Sequence, residues 1–226
     1  MKIILTGSTG FIGSVLLSRC ISLPTITSVV VLSRRPLPSP PRDLENKLRV
    51  VIQPDFLHYP PELLSQLEGA EACIWCLGTP TSGKEVHVDY TLAAATAFAE
   101  NLAPKLGEGK RFTFVYLSGK LCERDQSRSL WFMHEARKMR GGVETALVEL
   151  EARYEGVWRS MSSRPGGVSK AGIYHCVMDA LVPSWTIGVE ELAAGMVELA
   201  VSREGEHFVE NDQLKERGRK ALRSVL

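Results

Sequence analysis

Three glycines in Thr6-Gly7-Ser8-Thr9-Gly10-Phe11-Ile12-Gly13 stand at G-x-x-G-x-x-G spacing directly after the apolar run Ile3-Ile4-Leu5. Glycines so spaced permit a tight turn, bring backbone amides against a diphosphate and let the following helix pack closely, while the helix N-terminus favours the negative charge. The chemistry implied is dinucleotide binding by Gly7, Ser8, Thr9, Gly10, Phe11, Ile12 and Gly13. A second cluster, Ser33-Arg34-Arg35, ends the next apolar run, and no acid follows it until Asp43. A guanidinium pairs bidentately with a 2′-phosphate, whereas the free ribose hydroxyls of NAD call for an acidic acceptor at that place. Ser33, Arg34 and Arg35 therefore point to NADP(H).

These residues need strand ends to hold them. Apolar runs rich in β-branched residues predict strands over Lys2–Thr6, Ser28–Ser33, Leu48–Gln53, Ala72–Leu77, Arg111–Ser118, Val157–Ser162 and, briefly, His207–Glu210. Between them, three- and four-residue spacings predict helices over Phe11–Ser22, around Leu63, over Glu85–Leu106, from about Ser129 to Arg153, and over Val189–Val201. Such alternation implies an α/β fold of Rossmann-like type: a doubly wound parallel sheet of about seven strands, helices on both faces, ligands at the carboxyl edge. The Pro-rich stretch from Arg35 to Pro41 reads as an exposed loop, too short to divide domains. One domain over residues 1–226 is the expectation.

The composition excludes several classes. With 27 Lys+Arg against 26 Asp+Glu among 226 residues, the formal charge of +1 gives no bulk attraction to nucleic acid or an acidic membrane. No apolar run approaches the ~20 residues of a membrane span, and the glycine series interrupts the N-terminal apolar stretch where a signal sequence would continue. Five cysteines, an odd number set in apolar segments, suit a reducing compartment and a cytoplasmic protein. Cys73-Ile74-Trp75-Cys76 has C-x-x-C spacing but lies in an expected strand, where residues three apart face opposite ways. His134-Glu135 lacks the second histidine of a zinc helix, because Lys138 holds that place, so no metal is expected.

Taken together, the glycine series and later landmarks resemble the short-chain dehydrogenase/reductase superfamily, in its extended and atypical branches. The landmarks follow in order: Asp55-Phe56, Leu77-Gly78-Thr79, Leu117-Ser118-Gly119 and Arg164-Pro165-Gly166-Gly167, then Ile187 to Ala193 and Glu210-Asn211-Asp212. The resemblance implies that Asp55 and Phe56 meet the adenine edge and that Leu77, Gly78 and Thr79 approach the diphosphate and ribose. It also implies that Pro165, Gly166 and Gly167 wall the nicotinamide, with Ser118 as the reacting serine. Family members carry Tyr-x-x-x-Lys on the next helix, but residues 129–144 contain no tyrosine. Two alignments remain open. Lys138 as the family lysine places His134 four residues earlier, where an imidazole can replace the tyrosine as proton donor. Alternatively, Arg140 stands in for the lysine, matching Arg140-Gly141-Gly142-Val143-Glu144 to a K-G-x-x-E pattern and putting Ala136 at the tyrosine position.

The expected activity is NADP(H)-dependent reduction of a carbonyl or activated alkene in a small organic substrate, catalysed by Ser118, His134, Lys138 and Arg140 in whichever alignment holds. Loss of the tyrosine keeps two rivals open: a non-redox isomerase, lyase or cyclase, and a regulatory protein that senses NADP(H). Tyr116, Tyr90, His87 and Lys84 are further candidates to line the pocket, and the stretch from Val168 to Ser184, with Trp185, is an expected apolar lid. The expected partner is a small molecule, with no nucleic acid and no membrane, and the chain is expected as a monomer or a homodimer.

Overall fold

The computed structural model describes residues 1–37, 47–78 and 83–224. Thr79, Asp43 and the Pro38–Pro41 part of the Pro-rich stretch lie outside the described residues.

The first strand, β1 (Lys2–Thr6), is the centre from which the sheet grows in both directions. On one side it pairs with β2 (Ser28–Ser33), which pairs with β3 (Leu48–Ile52). On the other come β4 (Ala70–Trp75), β5 (Phe112–Leu117), β6 (Trp158–Arg164) and β9 (Phe208–Glu210). All these pairings are parallel, giving the order β3-β2-β1-β4-β5-β6-β9. Because chain order reverses between β1 and β4, the connections part there and leave a crevice at the carboxyl edge. A small parallel pair, β7 (Gly167–Ser169) and β8 (Thr186–Gly188), stands outside the main sheet.

The helices divide between the faces. Ile4, Val30, Cys73, Phe114 and Tyr116 point to the face covered by α2 (Pro61–Leu67), α3 (Tyr90–Asn101) and α4 (His134–Arg153). Ile3, Leu5, Val29, Ile74 and Val115 point to the face of α1 (Phe11–Ser22), α6 (Val189–Ser202) and α7 (Asn211–Arg223). Burial on both faces explains why the strands read as continuous apolar runs. On the first face Trp75, Phe114, Trp158 and Phe112 form an aromatic row, with successive centroids 5.9, 5.5 and 5.3 Å apart. α5 (Ile173–Leu181) spans part of the expected lid.

Several elements differ from expectation, among them β7, β8 and α5, which lie in stretches given no regular structure above. α4 starts at His134 rather than near Ser129, because Met133 adopts a left-handed conformation (φ 47°) that the preceding turn cannot continue as helix. The Glu85–Leu106 segment opens with a π-helical turn over Glu85–Asp89 and closes with a 3₁₀ turn over Ala103–Leu106. α7 was not expected, since its sequence is mostly charged and Gly218 interrupts its apolar stripe. The glycine is there for contact: a Cβ on Gly218 would stand 2.0 Å from the Glu191 carbonyl oxygen, and one on Gly195 would stand 2.8 Å from that of Leu214. Gly218→Ala should therefore cost about 1–3 kcal/mol in urea unfolding through overpacking. Gly142→Ala in α4, where the nearest atom is Gln126 Nε2 at 3.8 Å, should be neutral or stabilising by up to about 1 kcal/mol.

Candidate functional site

The glycine loop turns from β1 into α1 with no room to spare. Gly7 has φ 69°, and a Cβ there would come within 2.3 Å of the Cys76 carbonyl oxygen; one on Gly13 would come within 1.9 Å of the Gly7 carbonyl oxygen. Gly10 N–H donates to the Gly7 carbonyl at 2.9 Å, closing the turn, and no side chain caps the start of α1. Ser8 Oγ is buried without a partner among the described residues. The loop's outer side opens into a cavity of 460 Å³ lined by Gly7, Ser8, Thr9, Ser33, Arg34, Arg35 and Leu77, among others. Arg34 and Arg35 are exposed and form no ion pair among the described residues. Ser33 Oγ accepts from the Arg35 N–H at 3.3 Å, holding the bend. Phe11 is half exposed under Lys170 Nζ, 5.9 Å from its ring centre, while Ile12 turns towards the second cavity.

Asp55 is occupied by its own loop. Its carboxylate accepts the Leu57 N–H at 2.8 Å and meets His58 Nδ1 at 2.6 Å, and these bonds, His58 first, hold its pKa below the usual carboxylate range. Phe56 is fully buried edge-on to Trp75, so its side chain is core, and only its backbone can meet a ligand. Tyr90 feels Glu85, Arg34 and Asp55, which places it at this end of the crevice rather than beside Ser118.

The second cavity, of 330 Å³, shares Leu77 with the first as a lining residue. It is lined by Ile12, Gly78, His87, Ser118, Lys120, Leu121, Cys122, Met133, Arg137, Arg140 and the Pro165–Val168 stretch, with Trp185 at its wall. Ser118 Oγ is buried there beside the Cys122 thiol, with no hydrogen-bond partner among the described residues. Gly78, at φ 116°, lets His87 approach: a Cβ on it would lie 3.0 Å from the imidazole. Gly166 is required by Trp185, whose carbonyl oxygen would stand 2.3 Å from a Cβ there. The wall is pinned from below, since Asn211 Oδ1 accepts the Gly166 N–H at 2.8 Å.

α4 separates the two proposed alignments. Its cleft-facing stripe runs Met133, Arg137, Arg140, at helical spacing, and Glu144 continues it into the interior. His134 and Lys138 lie on the adjoining stripe, in a separate depression with Lys84, Val88 and Leu92. Lys138 Nζ donates to the Gln126 carbonyl at 2.8 Å, and the His134 side chain is 61% exposed beside Glu135. The fold thus brings Arg140, not Lys138, to Ser118; it does not bring His134 there. Ala136 lines the same depression as His134, so α4 offers no acid–base side chain in the tyrosine's place.

Glu144 is fully buried and grips Arg164: Nε donates to Oε1 at 3.0 Å and Nη2 to Oε2 at 2.5 Å, while Arg164 Nη1 reaches Glu210 at 2.9 Å. Both partners hold the guanidinium in its charged form. The Cys122 thiol donates to Glu144 Oε1 at 3.1 Å, and burial together with that carboxylate pushes its pKa up to about 12. Tyr116, two residues before Ser118, is core: its hydroxyl is buried without a partner, and burial raises its pKa further from neutrality. Cys73 and Cys76 point to opposite faces, and the Cys76 thiol donates to the Thr6 carbonyl at 2.7 Å. Among the described residues no group of three or more His, Cys, Asp or Glu could hold a metal, and no helix is long and apolar enough to cross a membrane.

Sequence reasoning missed Lys120 and Cys122 as cleft residues, reached His87 only by its neighbourhood, and named Arg137 only within a basic cluster whose ordinary reading is a solvated face. Lys120 and Cys122 follow the serine in an irregular loop, where no periodicity says which side chain turns inward.

No protein-family model matches the chain. A stretch of 128 residues is 34% identical to leucinostatins biosynthesis cluster protein T of Purpureocillium lilacinum, covering 54% of this chain and 44% of that relative, so the match spans less than half of the relative's length. Among solved structures, an oxidoreductase of the short-chain dehydrogenase/reductase family from Burkholderia thailandensis superposes with TM-score 0.65 at 15% identity, over 92% of this chain and 88% of its own. MoeE5 in complex with UDP-glucose and NAD superposes with TM-score 0.64 at 15% identity, over 97% and 81%. The fold is that of these Rossmann-like proteins.

The Glu144–Cys122 contact is testable. Cys122 should resist alkylation at pH 8, followed by mass spectrometry, since its thiolate is populated only as pH nears 12. Glu144→Gln removes the anion while keeping Arg164, so the thiol pKa should fall and labelling quicken. The same substitution should cost about 3 kcal/mol of stability by leaving the buried end of Arg164 uncompensated.

Proposed function

We propose that the chain is an NADP(H)-dependent oxidoreductase of atypical short-chain dehydrogenase/reductase type, acting on the carbonyl or activated alkene of a small organic molecule. The observation that carries this reading is that Leu77 lines both cavities, one at the glycine loop and one at Ser118. The first cavity holds Arg34, Arg35 and the glycine loop, and the second holds Ser118, Arg140 and the Pro165–Gly167 wall. A dinucleotide is an elongated ligand with a charged middle, and the loop's uncapped amides, the unpartnered Ser8 hydroxyl and the space that Cβ atoms would fill suit its diphosphate.

The cofactor, when bound, supplies or accepts a hydride. The chain's own residues do the rest. Arg34 and Arg35 pair with a 2′-phosphate, which a 2′-hydroxyl cannot repay. Arg140 holds the nicotinamide ribose from the position that a lysine takes in the family. Ser118, already desolvated, donates to the substrate oxygen and polarises it. The Pro165–Gly167 wall, kept bare by Gly166, fixes the face on which the reaction occurs. His87 is the cleft side chain of a type suited to moving a proton near neutral pH.

The missing tyrosine on α4 favours one rival, positioning chemistry without net redox change. Change in cofactor absorbance during turnover separates the two.

Titration with NADPH and NADH, followed by calorimetry, should show preference for NADPH. Arg34→Glu should weaken NADPH binding at least tenfold and leave NADH nearly unchanged, and equal losses would remove the phosphate clamp. Arg140→Ala and Ser118→Ala should each lower turnover about 10²-fold or more. His134→Phe and Lys138→Ala should leave it within a factor of about two, and a loss comparable to Arg140→Ala would restore the other alignment.

A further inference from the structure

The cleft around Ser118 is unbalanced in charge. Lys120, Arg137 and Arg140 line it, and among the described residues no Asp or Glu does. Glu144, buried behind it, is consumed by Arg164 and the Cys122 thiol. Arg140 is assigned above to an uncharged ribose, which still leaves two cations facing a space that the cofactor reading does not neutralise. Lys120 is held in place by its backbone, whose N–H donates to the Pro165 carbonyl at 2.9 Å. Its ammonium lies 5.3 Å from the centre of the Trp185 ring and makes no hydrogen bond or ion pair among the described residues. Arg137 spends Nε on the Leu121 carbonyl at 2.6 Å and Nη1 on that of Phe132 at 3.5 Å, so its fork is oriented while Nη2 has no partner among the described residues.

The rim is as unusual as the charge. Leu121, Met133 and Trp185, each between a third and a half exposed, border the cleft. Trp131, 96% exposed, and Phe132 continue that surface, their rings 5.8 Å apart on the loop that leads to Met133. Large apolar side chains gathered beside a concave site mark ligand contact more often than chance exposure.

Resting on the redox reading, we infer that the substrate is an organic carboxylate with an apolar body. Its head sits between Lys120 and Arg137, and its body lies along Leu121, Met133 and Trp185. A carboxylate suits the arrangement because two cationic side chains line one cavity, Arg137 with an unspent Nη2, and a partly desolvated site strengthens such charge-assisted bonds. The apolar rim then lowers the affinity for small hydrophilic acids relative to amphiphilic ones.

The test uses decanoate as the probe and decanol as its neutral counterpart. In a Trp131→Phe background Trp185 is the exposed tryptophan, since Trp75 and Trp158 are fully buried. Decanoate should change its emission saturably. Lys120→Gln should weaken decanoate binding about tenfold, as the loss of one charge-assisted contact implies, and Lys120→Arg should restore it. Decanol should bind more weakly and ignore residue 120. Equal binding of decanol and decanoate, indifference of decanoate to Lys120→Gln, or no saturable change would overturn the inference. A parallel NADPH titration keeps the two readings apart. NADPH binding without decanoate binding removes the carboxylate site alone. Decanoate binding that depends on Lys120, in a protein that binds no NADPH, supports the carboxylate site and removes the redox reading.

Discussion

The mouth of the crevice depends on one buried ion pair. Taking a carboxylate and a guanidinium out of water costs several kcal/mol per ion, and only complete hydrogen bonding offsets it. Glu144 meets that condition by presenting both oxygens to Arg164 and taking the Cys122 thiol as well. Arg164 meets it through Glu210 and through Phe208, whose ring centre lies 4.4 Å from its guanidinium carbon, with Arg124 at 4.5 Å from the same ring. One interaction thereby joins α4, the end of β6, β9 and the loop after β5. Its sequence neighbours are the site: Glu144 is one helical turn past Arg140, and Arg164 directly precedes the Pro165–Gly167 wall. If the pair shifts, Arg140 and the wall shift with it.

The second constraint is the lack of space at the switch between β1 and β4. Gly7 against Cys76, and Gly13 against Gly7, leave backbone where other residues would place side chains. That bareness aims amides outward and lets β4 run close enough for Leu77 to border both cavities. Gly78 and Gly166 repeat the device, admitting His87 and Trp185. The glycines set the shape of the crevice, and the ion pair sets the position of its far wall.

This division explains what was legible in the sequence. The strands, α1 and the glycine loop follow from local pattern, since parallel strands buried on both faces read as apolar runs and the loop has its own spacing. β4 begins two residues earlier than expected because Ala70 and Glu71 carry no apolar signal, yet Ala70 pairs with Lys2 in the sheet. α7 was hidden because its contact with α6 is made by Gly218, a residue that usually signals an interruption. The choice between Lys138 and Arg140 could not be read from spacing, because both alignments satisfy a helix. It depends on which stripe of α4 faces the sheet edge, and buried Glu144 decides that by drawing Arg140 inward. Cys122 and Lys120 were invisible for the same reason: their direction is set by a tertiary partner, not by period.

What replaces the tyrosine is then a question of which groups can exchange a proton at the cleft. Arg140 cannot, because a guanidinium stays charged at any working pH. Cys122 is held as a thiol by the carboxylate that orients it, and Tyr116 is sealed in the core. Lys120, if it neutralises a substrate carboxylate, is bound to keep its proton for that purpose. These exclusions leave the imidazole of His87, carried on a π-helical turn that displaces it from the regular helix towards Gly78. Under the proposed function, a proton would pass through the segment ahead of α3 and not through α4. The cleft-facing stripe of α4 then carries positive charge, in Arg137 and Arg140, and no acid–base side chain.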